Sequence, residues 1–149
     1  MNRAAGTALL AFLLSAACRR PAPEPSPLTP ADLSVAGVSV DDDSAAVLLV
    51  LGAPISRDSS TWRYTDLQVE ISHGKVSILS ILGPTRQTQR GLRVGDSADR
   101  ARRLYDPCYS DSVVVQVCFN QTDFDARAVI AQLNGGRVKR IGVGRIIEP

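Results

Sequence analysis

Two stretches of this 149-residue chain carry the same pattern of residues 54 positions apart. The shift places glycine on glycine, valine on valine, acid on acid and apolar on apolar. The pairs are Gly37 and Gly91, Val40 and Val94, Asp42 and Asp96, Val47 and Ala101, Val50 and Leu104, and Leu51 and Tyr105. Further on, Gly74-Lys75-Val76 matches Gly136-Arg137-Val138 at a shift of 62, so the second stretch carries eight more residues. Internal similarity of this kind predicts two similar structural units.

A short helix is predicted at the start of each unit. In the first unit, Asp42 or Asp43 precedes the uncharged run Ser44–Leu51. An acidic side chain in that place accepts hydrogen bonds from the free amides of a first helical turn. The second helix is predicted over Ala98–Tyr105, with Asp96 or Ser97 as its cap. Residues at helical spacing form the apolar sides, namely Val47, Val50 and Leu51 in one helix and Ala101, Leu104 and Tyr105 in the other.

Alternating apolar and polar residues after each helix predict antiparallel strands. In the first unit they are Trp62 and Tyr64, then 67–71, the tight turn His73-Gly74, and 76–81. In the second they are 113–119, 129–133, a turn at 134–136, and 138–143. Each unit should therefore hold one helix and about three strands, which is an α+β architecture of two tandem helix-plus-antiparallel-meander units. Because neither unit has much core of its own, we expect the two to pack together or to share a sheet.

These motifs resemble a known group of proteins. The opening Gly91-Leu92-Arg93-Val94-Gly95-Asp96-Ser97, the Trp62-x-Tyr64 strand and the Gly-Lys/Arg-Val hairpins are similar to small bacterial envelope lipoproteins of the BamE/SmpA type. They are also similar to the related tandem repeats of the β-lactamase inhibitory protein. The resemblance covers most of residues 35–145. It implies a protein that offers a surface to another protein, as an assembly accessory or as an inhibitor, although fold does not fix function.

The first 18 residues have the pattern of a bacterial lipoprotein signal. After Arg3 the chain carries no charge from Ala4 to Ala17, and this stretch as a helix spans about 21 Å, short of the roughly 30 Å hydrocarbon core. That length favours a signal peptide over a membrane span. The ending Ser15-Ala16-Ala17-Cys18 resembles a lipobox, which implies that Cys18 becomes the lipidated first residue of the mature chain. Ordinary signal cleavage near Ala17 is the alternative.

A proline-rich segment follows the signal. Prolines at 21, 23, 25, 27 and 30 favour an extended, semi-rigid chain without a packed core. The predicted organisation is therefore a signal and lipobox in residues 1–18, a disordered linker in 19–34, unit one in 35–88 and unit two in 89–149. In the pattern of bacterial lipoproteins, a non-acidic residue after the lipidated cysteine, here Arg19, favours the outer membrane.

Two cysteines remain beyond the signal. In an exported protein the oxidising envelope makes a disulfide between Cys108 and Cys118 the expected state. A redox pair and free thiols are the alternatives. The spacing is not C-x-x-C, and the sequence has no second pair of ligands that would indicate zinc.

The sequence carries few candidates for catalysis or metal binding. Its single histidine, His73, lies at a predicted hairpin turn, and no P-loop, H-E-x-x-H or dinucleotide motif is present. The net charge of +2 is too small for a general nucleic-acid binder. Residues 41–43 could hold a cation and so could Asn120, Asp123 and Asp125, but helix capping and a polar loop are favoured. We predict no cofactor, no metal and no enzymatic activity.

The candidate interface combines aromatic residues with arginines. Trp62 and Tyr64 could anchor a partner, although core packing is favoured. Arg93, Arg100 and Arg103 belong to the densest charge cluster, which could meet an acidic partner or anionic lipid, or could be a solvated helix face.

The predicted function is that of a non-catalytic protein-binding or assembly accessory module. It would be exported, lipid-anchored at the periplasmic face of the outer membrane, and would bind another envelope protein. The alternatives are a small secreted hydrolase using carboxylates such as Asp123 and Asp125, an inhibitor, or a structural lipoprotein without a specific ligand.

Overall fold

A computed structural model of the chain describes residues 28–105, 108–112, 115–119 and 127–145, with only the backbone described between 108 and 119. Cys18 and the candidate calcium ligands Asn120, Asp123 and Asp125 lie outside the described residues. Within them, no helix is long and apolar enough to cross a bilayer. Residues 30–33, which the sequence places in the linker, form a 3-10 helix whose Asp32 and Leu33 are buried.

The described chain contains ten strands, two α-helices and this 3-10 helix (Pro30–Leu33). The helices are α1 (Ser44–Leu51) and α2 (Ala98–Tyr105), which confirms both predicted helix ranges. The strands are β1 (Ser34–Val35), β2 (Val38–Ser39), β3 (Ser56–Arg57), β4 (Thr61–Arg63), β5 (Leu67–Ser72), β6 (Lys75–Ile81), β7 (Cys108–Ser112), β8 (Val115–Phe119), β9 (Arg127–Asn134) and β10 (Arg137–Arg145).

Eight of these strands form one antiparallel sheet in the order β3-β4-β5-β6-β10-β9-β8-β7, and β1 and β2 form a separate hairpin. The centre of the sheet is the pairing of β6 with β10, where Ile81 lies opposite Ile141 and Leu79 opposite Val143. Each remaining pair joins strands that are neighbours in sequence. The sheet is therefore two meanders joined side by side through β6 and β10.

The predicted fold class is wrong, because the protein is mostly β rather than α+β with two helix-plus-meander units. One continuous sheet runs through both halves, and each half supplies four strands to it instead of three. β3 was missed because Ser56 and Arg57 are both exposed and show no alternation. The helices have eight residues each and bury only one or two side chains fully, too few to form a layer comparable with the sheet.

The core lies between one face of the sheet and the helices. Side chains from β4, β5, β6, β9 and β10 meet the inward residues of α1 and α2 there, and the β1–β2 hairpin closes one side. Complete burial of a large apolar side chain contributes about 1.5–3 kcal/mol to the free energy of unfolding. The fully buried residues of the core include Val35, Val38, Val47, Leu67, Val69, Leu79, Ala101, Ile141 and Val143.

The start of α1 is fixed to the hairpin between β5 and β6. The Ser44 amide donates to the carbonyl of Gly74 at 2.9 Å, and the Val76 amide donates to the carbonyl of Asp42 at 2.8 Å. The carboxylate of Asp42 accepts from the Ser39 amide at 2.7 Å, in the turn before the helix. The predicted side-chain cap of α1 is therefore wrong: Asp43 holds the cap position without a capping hydrogen bond.

The start of α2 makes the same contacts with the hairpin between β9 and β10. The Ala98 amide donates to Gly136 at 2.9 Å, and the Val138 amide donates to Asp96 at 2.8 Å. The carboxylate of Asp96 accepts from the Arg93 amide at 2.8 Å. Here a capping hydrogen bond is present, because the Ser97 hydroxyl accepts from the Arg100 amide at 3.2 Å. Both helices are thus held to a hairpin turn by equivalent backbone hydrogen bonds.

Candidate functional site

The outward surface of α1 is apolar. Leu49 is 88% exposed, Val50 49% and Leu48 39%, and Ile55 beyond the helix is 74% exposed. No charged residue occurs from Ser44 to Ile55. We name Leu48, Leu49, Val50 and Ile55 the apolar patch. Scattered exposed leucines are ordinary on protein surfaces, but four exposed large apolar side chains within eight residues of uncharged chain indicate a contact surface.

The predicted inward face of α1 is only partly correct. Val47 is fully buried and Leu51 is partly buried against the core, but Val50 is half exposed. Its side chain lies against the β1–β2 hairpin, where a Cβ placed on Gly37 would be 3.2 Å from Cγ1 of Val50. Periodicity does not distinguish the faces of a helix that is apolar all round, so spacing alone could not place Val50.

A groove opens beside the same hairpin. It has a volume of about 510 Å³ and contains two arginines, Arg86 and Arg93. Neither makes an ion pair with an acidic residue in the described part of the chain; Arg93 donates to the side-chain oxygen of Gln87 at 2.8 and 3.0 Å. We name this the arginine groove, and its lining consists of Ser34, Ala36, Gly37, Thr85, Arg86, Gln87, Thr88, Gln89 and Arg93.

Trp62 and Tyr64 lie mainly inside the protein. Trp62 is 3% exposed and belongs to the core, with the Arg57 guanidinium 4.5 Å from its ring centre. Tyr64 is half-buried, and its hydroxyl donates to the carbonyl of Gly52 at 3.1 Å. Burial raises the pKa of Tyr64 above 10. The two aromatic residues therefore support the sheet and the end of α1, as the core-packing alternative expects.

The predicted arginines lie on the α2 side of the molecule. Arg100 forms an ion pair with Asp96 at 3.1 Å and donates to the carbonyl of Gly91 at 3.3 Å, while Arg103 is exposed. Among the described contacts, none joins these arginines to Trp62 or Tyr64. The five candidate interface residues do not form one site, although Arg93 enters the arginine groove.

A buried ion pair that sequence reasoning missed ties the 3-10 helix to the second half. Both side-chain oxygens of Asp32 accept from Arg90 at 2.8 Å, and Arg90 donates to the carbonyl of Leu104 at 3.0 Å. The guanidinium lies 5.1 Å from the ring centre of Tyr105, whose hydroxyl is 2.6 Å from that of Thr88. Asp32 and Arg90 are 58 residues apart, and no local pattern connects them.

Hydrogen bonding sets the charge state of Asp32. Burial alone would raise the pKa of this carboxyl, but hydrogen bonds from Arg90 and Thr29 outweigh burial and hold the pKa below 3.8. Asp32 thus remains ionised, and Arg90 offsets the cost of its burial.

The carboxylates of residues 41–43 point to different partners. Asp41 accepts from Arg127 at 2.5 Å and Arg145 at 2.9 Å, and Asp43 pairs with Lys75 at 3.2 Å. The described residues contain no group of three histidine, cysteine, aspartate or glutamate side chains that could hold a metal ion. The acidic run therefore stabilises the chain entering α1.

His73 and the cysteines occupy hairpins. His73 has a φ of 52° at the exposed β5–β6 turn, with its Nδ1 3.0 Å from the Ser72 hydroxyl. On the backbone, Cys108 of β7 is the direct cross-strand partner of Cys118 of β8. Directly opposed antiparallel residues have Cα atoms about 4.5–5.5 Å apart, within the range that a disulfide bridges.

The second face of the sheet carries polar side chains among apolar and small residues. Strand register places Gln68, Ser80, Gly142 and Ile130 in one row across it, and Glu70, Ile78, Gly144 and Ala128 in the next. We name it the outer sheet face; the described helices contribute to the core on the opposite face. Its half-exposed or exposed larger side chains are Arg63, Gln68, Glu70, Ile78, Ile130, Gln132 and Arg140.

Gly144 leaves the middle of the outer sheet face without a side chain. A Cβ on Gly144 would lie 2.3 Å from the carbonyl oxygen of Ser77, so any side chain there would collide with β6. On the same face, Arg140 donates to the Ser80 hydroxyl at 2.8 Å, and its guanidinium is 3.9 Å from the carboxylate of Glu70. The middle of the outer sheet face thus consists of the buried Ser80, Ala128 and Gly144, with amide and charged side chains around them.

Comparisons with known proteins give little beyond this geometry. No family model matches the sequence, and no curated protein matches it. One solved structure with a similar backbone is an extracellular protein containing a SCP domain from Bacillus anthracis str. Ames, at 13% identity and a TM-score of 0.46. The match covers 70% of this chain and 43% of that protein. The likeness is too weak to extend that protein's fold or activity to this chain.

Proposed function

We propose that the protein is an exported, membrane-anchored binding module that docks an envelope protein on the outer sheet face and catalyses no reaction. The observation that carries this proposal is the outer sheet face itself, which has half-exposed or exposed arginine, glutamate and amide side chains around the buried Ser80, Ala128 and Gly144. Interfaces that exchange partners combine such polar groups with a few apolar contacts, here Ile78 and Ile130.

The charges of this face indicate the chemistry of the partner. Arg63 and Arg140 outnumber Glu70, and Glu70 already lies near Arg140 at 3.9 Å. A carboxylate on a partner protein could therefore accept hydrogen bonds from one of these guanidinium groups, since arginine binds carboxylates in a bidentate geometry. We accordingly expect a protein surface with at least one acidic side chain.

Photo-crosslinking in cells tests this proposal. The full chain carries a photo-crosslinking amino acid in place of Gln68 or Gln132, both on the outer sheet face, or in place of Arg103 on the exposed side of α2. We expect one envelope protein crosslinked from the first two positions and not from the third. Arg140→Glu should abolish that crosslink, while Arg102→Glu should leave it unchanged. Equal crosslinking from all three positions would contradict the proposal.

The anchor is part of the same proposal and is tested separately. We propose that Cys18 is lipidated and holds the protein at the periplasmic face of the outer membrane; support comes from the lipobox-like Ser15-Ala16-Ala17-Cys18 after an uncharged leader. Fatty-acid labelling should mark the native chain and not Cys18→Ala, and gradient fractionation should place the labelled chain with outer membranes. Equal labelling of both chains would rule the anchor out.

A further inference from the structure

We infer that the apolar patch and the arginine groove together rest on the membrane leaflet that carries the anchor. The inference rests on the proposed anchoring and adds an orientation to it. The two surfaces adjoin, because Gly37 lines the groove and packs against Val50 of the patch. Apolar side chains therefore lie next to two arginines that have no acidic partner among the described residues.

The apolar half of this surface suits the boundary between headgroups and acyl chains. Leu49 and Ile55 extend into solvent for most of their surface, and the helix that carries Leu49 has no charge. A helix lying in a membrane interface places its apolar face about 5–10 Å into the boundary region. The stretch is too short to cross the bilayer, so contact along the surface is the arrangement that the patch permits.

The charged half suits the phosphates of the same leaflet. Arg86 and Arg93 have no acidic partner in the described residues, and hydroxyl and amide side chains surround them in the groove. Guanidinium groups bind phosphate oxygens in a bidentate geometry. Basic residues flanking an apolar helix face strengthen its binding to anionic lipid.

The tether reaches this side of the molecule. Leu28 follows Cys18 by ten residues, and a chain of that length extends at most about 35 Å. From Leu28 the chain continues through the 3-10 helix into the β1–β2 hairpin, which contacts α1. An anchor at Cys18 therefore keeps the domain within about 35 Å of the leaflet, which makes the docking effectively intramolecular.

The orientation also explains how the anchored protein could reach a partner. Both α1 and α2 cover the same face of the sheet, and the outer sheet face is on the opposite side. With the apolar patch on the leaflet, the outer sheet face is directed away from the helix side and stays open to another protein.

Tryptophan fluorescence in vesicles tests the inference. The full chain is reconstituted in phosphatidylethanolamine and phosphatidylglycerol vesicles with brominated acyl chains, which quench tryptophans that reach them. We compare Leu49→Trp with Arg103→Trp, the position 54 residues later on α2; the native Trp62 is buried and is common to both. Because interfacial side chains enter the acyl boundary, we expect quenching of Leu49→Trp at least about twofold stronger than of Arg103→Trp. Equal quenching of the two would overturn the inference.

The charge contribution is tested in the same vesicles. Adding Arg86→Glu and Arg93→Glu to Leu49→Trp should reduce its quenching, as should replacing phosphatidylglycerol by phosphatidylcholine. The matched control, Arg102→Glu with Arg103→Glu on α2, should leave the quenching unchanged. Equal losses in both pairs would show a general charge effect and overturn the role of the groove.

Failure of the anchor has a different signature from failure of the docking. If anchoring fails, the chain does not co-float with the vesicles, which is measured before fluorescence. If docking fails, the chain floats but Leu49→Trp is no more quenched than Arg103→Trp. A protein crosslinked from position 49 in cells, together with absent quenching, would identify a protein interface instead and overturn the inference.

Discussion

The two helices share their attachment to the sheet and differ completely in their outer surface. Each begins with equivalent backbone hydrogen bonds to a hairpin turn, and each buries one equivalent side chain, Val47 or Ala101. A shift of 54 then matches Leu48 with Arg102 and Leu49 with Arg103. α2 carries charged side chains, of which Arg102 pairs with Asp99 at 3.1 Å, whereas α1 has none.

The difference shows which positions the fold determines. The inward residue and the hairpin contacts are required for the helix to pack, so they have the same chemistry in both halves. The outward positions make no packing contact that fixes their chemistry, since α2 has arginine at the two positions where α1 has Leu48 and Leu49. An outward leucine contributes little to folding in water, so the apolar surface of α1 indicates a contact outside the domain.

The buried ion pair of the α2 side should give the largest effect. Arg90→Met leaves Asp32 buried without its partner, and breaking such a pair costs about 3–5 kcal/mol of unfolding free energy. Urea denaturation measures the loss. The exposed Arg103→Met should change stability by less than about 0.5 kcal/mol. Similar losses in both variants would show that the α2 side does not depend on Asp32.

The second half also contains the cysteine pair, which has no counterpart in the first half. If Cys108 and Cys118 are joined in the exported protein, Cys118→Ser should reduce stability by about 2–3 kcal/mol. Thiol titration of the unfolded native chain should then find no reactive thiol from this pair. A fully reduced native protein as stable as the oxidised one would contradict the prediction.

A core substitution makes α1 resemble α2 at its buried position. Val47→Ala removes two buried methyl groups and should reduce the free energy of unfolding by about 2 kcal/mol, because the surrounding core side chains are packed against valine. Leu49→Ala, at an exposed position of the same helix, is the control and should fall within about 0.5 kcal/mol of the native chain. A neutral Val47→Ala would mean that the two helix sites are interchangeable.

Acid should remove the stabilising contribution of the Asp32–Arg90 ion pair. The pKa of Asp32 is lowered in the folded state, so its contribution to stability is complete above the ordinary value of 3.8 and is lost as the pH falls through the folded pKa. The melting temperature of the native chain should therefore drop more steeply below pH 4 than that of Asp32→Asn. Parallel pH profiles would show that Asp32 has the same pKa folded and unfolded.

The smallest effect is expected from exchanging the outer surfaces. Leu49→Arg places on α1 the residue that α2 has at the matching position, and it should alter the unfolding free energy by less than about 0.5 kcal/mol. Light scattering should show less self-association, because an exposed apolar side chain is removed. A loss above 1 kcal/mol would mean that Leu49 packs within the domain.

The sequence predicts local structure here better than architecture. The two helix ranges and the His73-Gly74 turn follow from short-range patterns of apolar residues and glycine, and all three match the structure. The sequence left open whether the two units share a sheet or only pack together, because the pairing of β6 with β10 that joins them involves residues about 60 positions apart. The Asp32–Arg90 pair was missed for the same reason, since the two residues are 58 positions apart.

The central place of β10 affects the order in which the protein can fold. β10 is the last described strand in sequence order, yet it lies between β6 and β9 and joins the two halves of the sheet. During synthesis the earlier strands emerge first and have no partner across the middle until β10 arrives. Completion of the sheet is therefore delayed until the last described strand has been synthesised.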